Sequence, residues 1–339
     1  MRIMLLGGLG FIGSHTACKL KQLGHSVGIM DSFNQYQSFP DEEYFEVLRQ
    51  RREFADPDRV FRGRIEEELR LDEVFSSLRP DVVVHLATYP NARFVEHDPV
   101  DASNNMVVGT EIVVRACARH KVGRLVFASS SMVYGGFNSR IPDETTEPHP
   151  STLYGSLKLK GEKICQKMGH DLGLETVILR PSALYGPRDM IVRVISLMAK
   201  NCIEHGKILV RGKDSKLDFS FVEDVADAFV LAALHPAAVG HIFNCTRGRG
   251  RTLLEAAEIL LANLGSGSIE LREADKFYPS RGTVNSDKIK HQLGWEPSVD
   301  LEAGVPAYLN WFLAQEFLKL RVPTQTEPKG EGGGDRNTG

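Results

Sequence analysis

No run of the chain approaches the ~18 consecutive apolar residues that a membrane-spanning helix requires, and neither sign of charge dominates. Among 339 residues, 41 Lys and Arg stand against 44 Asp and Glu, a net charge of -3. That balance supplies no basic field for nucleic acid and no polybasic patch for a membrane surface, so a small-molecule partner is expected. Cysteine is scarce. The five, Cys18, Cys117, Cys165, Cys202 and Cys245, lie far apart, with no Cys-x-x-Cys pair and no Cys/His spacing that suits a metal. They are expected to be buried thiols of a reducing compartment, and no metal site is expected. Met1-Arg2 runs straight into a short apolar stretch, too brief for a secretory signal, so the expected location is the cytoplasm. The length suits one large domain or two smaller ones with an ample core.

What is present begins with that apolar stretch, residues 3–6, which ends in Gly7-Gly8-Leu9-Gly10-Phe11-Ile12-Gly13 and opens a helical pattern through Cys18, Leu20 and Leu23. Strand, glycine turn and helix in this order let the backbone approach a pyrophosphate, with the phosphates on the positive helix N-terminus. A second strand, 25–30, ends at Asp31 about 20 residues on, where a carboxylate can accept both ribose hydroxyls and repel a 2'-phosphate, favouring NAD over NADP. Asp31 as an ordinary strand-end turn residue is the alternative.

A charged connection over 32–59 contains a predicted helix at 41–54 with Tyr44, Phe45 and Leu48 as its apolar stripe. Strands at 60–65, 81–87 and 124–129 alternate with helical stretches at 66–78 and 100–120. Near-continuous apolar strands such as Val82-Val83-Val84 predict a parallel sheet covered on both faces. His85 reads as a packed strand-end histidine. The fifth strand runs into Ser129-Ser130-Ser131-Met132-Val133-Tyr134-Gly135, which puts hydroxyls at the carboxyl end of the sheet, where open α/β folds bind ligands. After one loop comes Tyr154-Gly155-Ser156-Leu157-Lys158. A Tyr and a Lys four apart share one helix face, and a nearby cation can bring a phenol, which ordinarily titrates near pH ~10, into use as a base. Pro150-Ser151-Thr152 supplies the helix start.

A strand at 176–180, then Pro181 to Arg188, then a helix with a stripe through Ile191, Val194, Ile195 and Met198 follow. Shorter mixed elements come next: strands at 208–211, 217–222 and 242–245, and helices at 223–234, 253–264, 287–293 and 307–320. The fold class expected is α/β, a Rossmann doubly wound parallel sheet over 1–180 with interleaved later segments. A smaller mixed α/β substrate lobe is expected over 181–321, and a polar tail over 322–339 with too little apolar surface to order itself.

Gly7/Gly10/Gly13, Asp31, His85-Leu86-Ala87, Asn105 before Gly109-Thr110, Ser-Ser-x-x-Val-Tyr-Gly at 129–135, Tyr154-x-x-x-Lys158, Tyr185-Gly186-Pro187-Arg188 and Leu293-Gly294-Trp295-x-Pro297 occur in one order. This set, spanning roughly residues 1–320, resembles the extended short-chain dehydrogenases/reductases, in particular the nucleotide-sugar epimerases and dehydratases. The resemblance implies that Gly7, Gly10, Phe11, Ile12, Gly13, Asp31, Ile65, Leu86, Ala87 and Asn105, with Tyr154 and Lys158, hold NAD. It implies Tyr154 as acid/base, Lys158 as the group that lowers its pKa and binds the nicotinamide ribose, Ser130 as the hydroxyl on the reacting sugar oxygen, and a homodimer.

Departures from the family pattern narrow the reaction. Members that dehydrate or decarboxylate the sugar carry an acidic residue just before Val-Tyr-Gly; Ser131-Met132 stand there, with no carboxyl group to protonate a leaving hydroxyl or take a C5 proton. Epimerisation needs none, since a ring carbon is oxidised, the keto-sugar turns over and hydride returns to the other face. The Asp that usually contacts adenine is Arg64, which could instead stack on the ring. The usual supporting Asn is Ala183, and the usual diphosphate-binding Arg is Leu217. Arg188, Arg211, Lys216 and Arg281 remain as anion ligands; Arg188, Arg211 and Arg281 are assigned to the substrate, Arg281 foremost. The expected function is an NAD-dependent nucleotide-sugar epimerase acting at C4. A reductase or C4-dehydrogenase of the same family, or a non-catalytic NAD-binding sensor, are the alternatives.

Asp31→Ala is expected to weaken NAD binding and relax discrimination against NADP, as measured by direct titration with both; a wild type that already prefers NADP contradicts the assignment.

Overall fold

The computed structural model describes residues 1–36, 40–137, 140–189, 193–275, 277–278 and 281–315. In chain order the elements are β1 Arg2–Leu6, α1 Phe11–Gln22, β2 Ser26–Asp31, α2 Asp41–Ala55, β3 Arg59–Arg62, α3 Glu68–Leu78, β4 Val82–His85, α4 Ala92–His97 and α5 Pro99–Ser103. A π-helical turn Asn104–Gly109 leads into α6 Thr110–Arg119, β5 Arg124–Ala128, a 3-10 turn Ser131–Tyr134, α7 Leu153–Asp171, β6 Glu175–Pro181 and β7 Ala183–Tyr185. The remainder is α8 Val194–His205, β8 Lys207–Arg211, β9 Lys216–Phe221, α9 Val222–Leu234, β10 Ile242–Cys245, β11 Gly250–Thr252, α10 Leu253–Leu264, β12 Ser268–Arg272, α11 Asp287–Leu293 and α12 Leu301–Leu313.

Seven strands form one parallel sheet in the order β10-β6-β5-β4-β1-β2-β3. Each strand sends alternate side chains to opposite faces. Ile3 and Leu5 enter a core shared with α1, α2 and α9, whereas Met4 and Leu6 enter one shared with α3, α6 and α7. With both faces covered, strands such as β4 are buried along their whole length. The chain runs outward from β1 in both directions, to β2 on one side and β4 on the other. The crevice at their carboxyl ends is therefore the switch point where doubly wound folds bind ligands.

The lobe has its own apolar core, built on the β11-β9-β7 sheet and the β12-β8 pair, with α8, α10 and α12 packed against them. β10 returns to the large sheet beside β6, so late segments do interleave with it. A staple then fastens the two parts together. Trp295 Nε1 donates to the Asp224 carbonyl at 2.8 Å, while the Asp224 carboxylate accepts from Ser298 N, Ser298 Oγ and Val299 N at 3.1, 3.0 and 3.0 Å. The Leu-Gly-Trp-x-Pro segment is thus a hydrogen-bonded lock on the start of α9.

Several elements differ from expectation. The stretch 100–120 is interrupted by the π-helical turn, a feature common at functional sites, and it carries Asn105. Helix α4 was not expected; Asn91 Oδ1 starts it by accepting from Arg93 N and Phe94 N at 3.0 and 3.3 Å. On α2 the buried stripe is Tyr44, Val47, Leu48, Arg51 and Ala55, and Phe45 is 60% exposed. The last helix was expected from 307, after Pro306, but begins at Leu301 with an Asp300 cap. The burial of Leu301, Val305, Tyr308, Leu309 and Phe312 outweighs the hydrogen bond that Pro306 removes. The strands β7 and β11, of three residues each, are too short for a period-2 pattern, and β12 has no buried face that alternates along it. Ile191, positions 316–320 of the last expected helix and the tail 322–339 lie outside the described residues. All five cysteines are free; four are buried, but Cys18 is partly exposed, contrary to expectation. Among the described residues no helix is long and apolar enough to cross a membrane.

Asp224→Ala leaves three partly buried donors on Ser298 and Val299 without their acceptor and is expected to cost about 1–2 kcal/mol, read as a lower thermal midpoint, with Asp224→Asn losing less.

Candidate active site

The glycine turn occupies the switch point. Gly7 has φ +74°, and a Cβ there would lie 2.7 Å from the Ala87 backbone, so the strand end and the β4 loop meet at glycine distance. A Cβ on Gly13 would lie 2.7 Å from Gly8, which lets α1 rise directly from the turn. Around Gly10 only the Gly7 carbonyl comes near, at 3.0 Å, so its outer side is open to a ligand. Neither a side-chain cap nor an acidic residue occupies the first turn of α1, which leaves its N–H groups free for an anion.

Gly7, Gly10, Phe11, Asp31, Ile65, Leu86, Ala87 and Asn105 line one cleft. Ile12 and Gly13 stand behind it in α1. Asp31 closes the β2 end, accepting from Leu9 N and Phe33 N at 3.0 Å each. Burial pushes its pKa up, opposed by those N–H groups and by Arg51. Asn105 donates to Glu66 at 3.2 Å, while its Oδ1 and the Thr88 Oγ1 are buried with no partner among the described residues. Orphaned acceptors and a glycine-distance cradle are what an amide- and hydroxyl-rich dinucleotide fits. Arg64 does line the cleft, but its Nη2 is committed to Glu66 and Asp101, 2.7 Å from each. Tyr36, Tyr44, Arg51 and Arg193 also line it and were not among the expected site residues. For Arg51 a signal existed: Tyr44, Leu48 and Arg51 stand at i, i+4 and i+7 on one face.

The proposed catalytic groups meet at the carboxyl end of β5. Thr152 Oγ1 caps α7 by accepting from Gly155 N at 3.1 Å. A Cβ on Gly155 would lie 2.5 Å from the Met132 carbonyl, and one on Gly161 would lie 2.5 Å from the Phe127 ring. The two glycines let α7 lie against β5 and its serine turn, which places Tyr154 near enough to Ser130 for the hydroxyl to lower the phenol's pKa. Ser130 Oγ also accepts from Met132 N at 3.2 Å. Burial raises the Tyr154 pKa to about 12; the opposing influences are Arg193, the Ser130 hydrogen bond and Arg281. Lys158 is not among them. Its Nζ lies 5.8 Å from the Tyr154 ring centroid and donates to the Ala128 carbonyl at 2.7 Å, and burial lowers its pKa to about 7. Here the charges acting on the phenol come from the lobe side, whereas the sequence pointed to Lys158 alone.

One turn beyond Lys158, the buried Glu162 receives Arg180 Nε and Nη2 at 2.8 and 2.6 Å, together with the Ser129 hydroxyl. Arg180 Nη1 donates to Tyr134 Oη at 2.8 Å, and Tyr134 donates to Asn244 Oδ1 at 2.9 Å. Ser131 Oγ donates to Ser182 Oγ at 3.1 Å and Met132 is buried, so hydroxyl and thioether occupy the two positions where an acid would stand.

The four expected anion ligands are placed differently. Arg281 is within electrostatic reach of Tyr154, with a buried Nε that has no partner among the described residues. Arg188 turns away, its guanidinium 3.5 Å from the Phe54 ring centroid and its carbonyl accepting from Arg51. Arg211 is exposed at the end of β8, grouped with Arg93 and Arg272, and Lys216 is exposed on β9. His85 is a packed histidine, as expected. Its Nε2 is 3.2 Å from Thr110 Oγ1, and burial lowers its pKa to about 3. No group of metal-ligating side chains occurs among the described residues.

Residues 3–246 match the NAD dependent epimerase/dehydratase family. The chain belongs to that family. NAD is its cofactor, and the fold class and the family resemblance read from the sequence both hold. The chain is similar to a dTDP-glucose 4,6-dehydratase of an Actinoplanes species, 29% identical over 93% of this chain and 98% of that protein. Among solved structures, the UDP-glucose 4-epimerase of Thermotoga maritima with UDP-glucose superposes with a TM-score of 0.82 at 26% identity, covering 92% of this chain and 99% of that one. The Thermus thermophilus UDP-glucose 4-epimerase complexed with NAD gives 0.80 at 25%, covering 93% and 99%.

Arg180→Met strands the buried Glu162 carboxylate and is expected to destabilise by about 3–5 kcal/mol. Glu162→Gln combined with Arg180→Met should recover most of that in urea unfolding, since no unpaired charge is left.

Proposed function

We propose that this protein is a nucleotide-sugar epimerase acting at C4. The observation that carries the reading is Tyr154 beside Ser130, in the field of Arg193, which lines the NAD cleft, with Ser131 and Met132 next to Ser130 where family dehydratases have carboxyl groups. Bound NAD supplies a reversible hydride acceptor. The chain supplies the proton chemistry and the orientation. Tyr154 acts as its phenolate, which the charges of Arg193 and Arg281 favour against burial: Oη takes the proton from the C4 hydroxyl as that carbon is oxidised and returns it when the carbon is reduced. Ser130 Oγ hydrogen-bonds the same sugar oxygen and shares its changing charge. Lys158 supports the ribose side of the cleft, and its low pKa fits a cation that is dehydrated and close to its titration point.

The substrate is then a nucleotide diphosphate-linked hexose. Arg281 has a buried, unpartnered guanidinium nitrogen near Tyr154, and a diphosphate satisfies it with charge-assisted hydrogen bonds. This supports Arg281 as substrate ligand in place of the absent Arg at Leu217; Arg188 and Arg211 have less support from their surroundings. Five free thiols fit a reducing, cytoplasmic setting. Val100 and Val108, apolar and exposed beside α6, fit a helix-paired homodimer.

The test follows product and cofactor together. With purified protein and a UDP-hexose, C4-inverted sugar should appear with no added NAD and no accumulation of reduced nicotinamide absorbance, and Tyr154→Phe should slow turnover by roughly 10²-fold or more. Reduced cofactor accumulating in proportion to product would overturn the reading in favour of a dehydrogenase, and a 4-keto-6-deoxy product in favour of a dehydratase.

A further inference from the structure

The geometry points to Arg193, in the lobe, as a clasp that holds the pyrophosphate of NAD against the glycine turn. This rests on the cofactor assignment of the cleft and not on the reaction proposed above. Arg193 is the N-cap of α8, and its guanidinium carbon lies 4.9 Å from the ring centroid of Phe11, the first residue of α1. A lobe cation therefore overhangs the helix N-terminus whose N–H groups are free, and it lines the same cleft as Gly10 and Phe11.

Its aim is fixed from both ends. Arg193 N donates to Ser196 Oγ at 3.1 Å and Ser196 Oγ donates back to the Arg193 carbonyl at 3.0 Å, which anchors the backbone. The buried Asp189 carboxylate receives Nη1. Among the described residues no hydrogen-bond partner engages Nε or Nη2, and the side chain stays 23% exposed. A planar fork that lines the cleft with one prong secured and two nitrogens unengaged among the described residues suits a phosphate, which guanidinium binds bidentately. Of the parts of NAD, only the pyrophosphate is anionic, and it belongs at this turn. Arg51, buried beneath the same turn, donates to the Leu9 and Arg188 carbonyls and so secures the main chain that Arg193 overhangs. The consequence is that cofactor release requires the lobe to lift.

The test compares the purified full-length wild type with Arg193→Met, which keeps the stem over Phe11, and Arg193→Lys, which keeps the charge. NAD content per chain after gel filtration is measured, then the rate of NAD loss during a chase with excess ADP-ribose. Loss of charge-assisted hydrogen bonds should speed NAD loss about tenfold or more in Arg193→Met, with Arg193→Lys in between. Adenosine, which has no phosphate, should compete equally in wild type and variants. Unchanged NAD content and loss rate in Arg193→Met overturn the proposal, as does a lysine variant no better than methionine. Equal weakening of adenosine, which signals a collapsed cleft, also overturns it. Reassignment of the sugar reaction alone would leave these outcomes untouched.

Discussion

A buried carboxylate–guanidinium pair ties the helix that carries Tyr154 and Lys158 to the sheet. Glu162 on α7 and Arg180 on β6 meet through two hydrogen bonds, and Ser129, Tyr134 and Asn244 complete the set. The members come from α7, the end of β5, β6 and β10, so the pair fixes the helix against three strands at once. Ion pairs this deep stabilise little against apolar packing but are expensive to break. That asymmetry makes the pair a registration device: α7 can take only the rotation that satisfies it. Tyr154 and Lys158, two turns and one turn earlier, are aimed by the same rotation.

Close packing then does what the ion pair alone does not. Gly155 and Gly161 let α7 approach β5, and Gly7 and Gly13 let the first strand, the β4 loop and α1 converge. The Ser130 and Tyr154 hydroxyls and the glycine turn thus sit at the carboxyl edge of the same sheet. The lobe closes this edge with cations. Arg193 and Arg281 both lower the pKa of the Tyr154 phenol, so its electrostatics depend on residues of the later, lobe-forming part of the chain. The Asp224 hydrogen bonds hold residues 295–299, which lead into α12 of the lobe, against the start of α9.

Membership of a family that contains both epimerases and dehydratases leaves the reaction to side chains around a shared scaffold. The relevant contrast is local. A Ser131–Ser182 hydrogen bond and a buried methionine occupy the ground beside Ser130, and neither group can donate or remove a proton at C5 or C6 as a carboxyl group would. Arg64, Ala183 and Leu217 are where this chain departs from the family pattern, and Arg64 is paired with Glu66 and Asp101.

Much was legible in residue order because it is set by local chemistry. Glycines at 7, 10 and 13 after an apolar strand, Asp31 at the next strand end, hydroxyls after β5 and a Tyr/Lys pair on one helix face are patterns within single elements. The alternation of apolar strands with helices specified the doubly wound sheet, and α10 and α11 fall at the expected residues. What only tertiary structure decided involves residues far apart in sequence. Arg188 had the better motif, yet stacks on Phe54, while Arg193 and Arg51 have no motif and reach the cleft. Pro306 sits inside a helix because burial across the lobe core outweighs its local cost. Sequence spacing determines which face of an element a side chain is on. What that face meets depends on packing between elements, and a long flexible cation is directed by whichever carboxylate, ring or carbonyl packing brings near it.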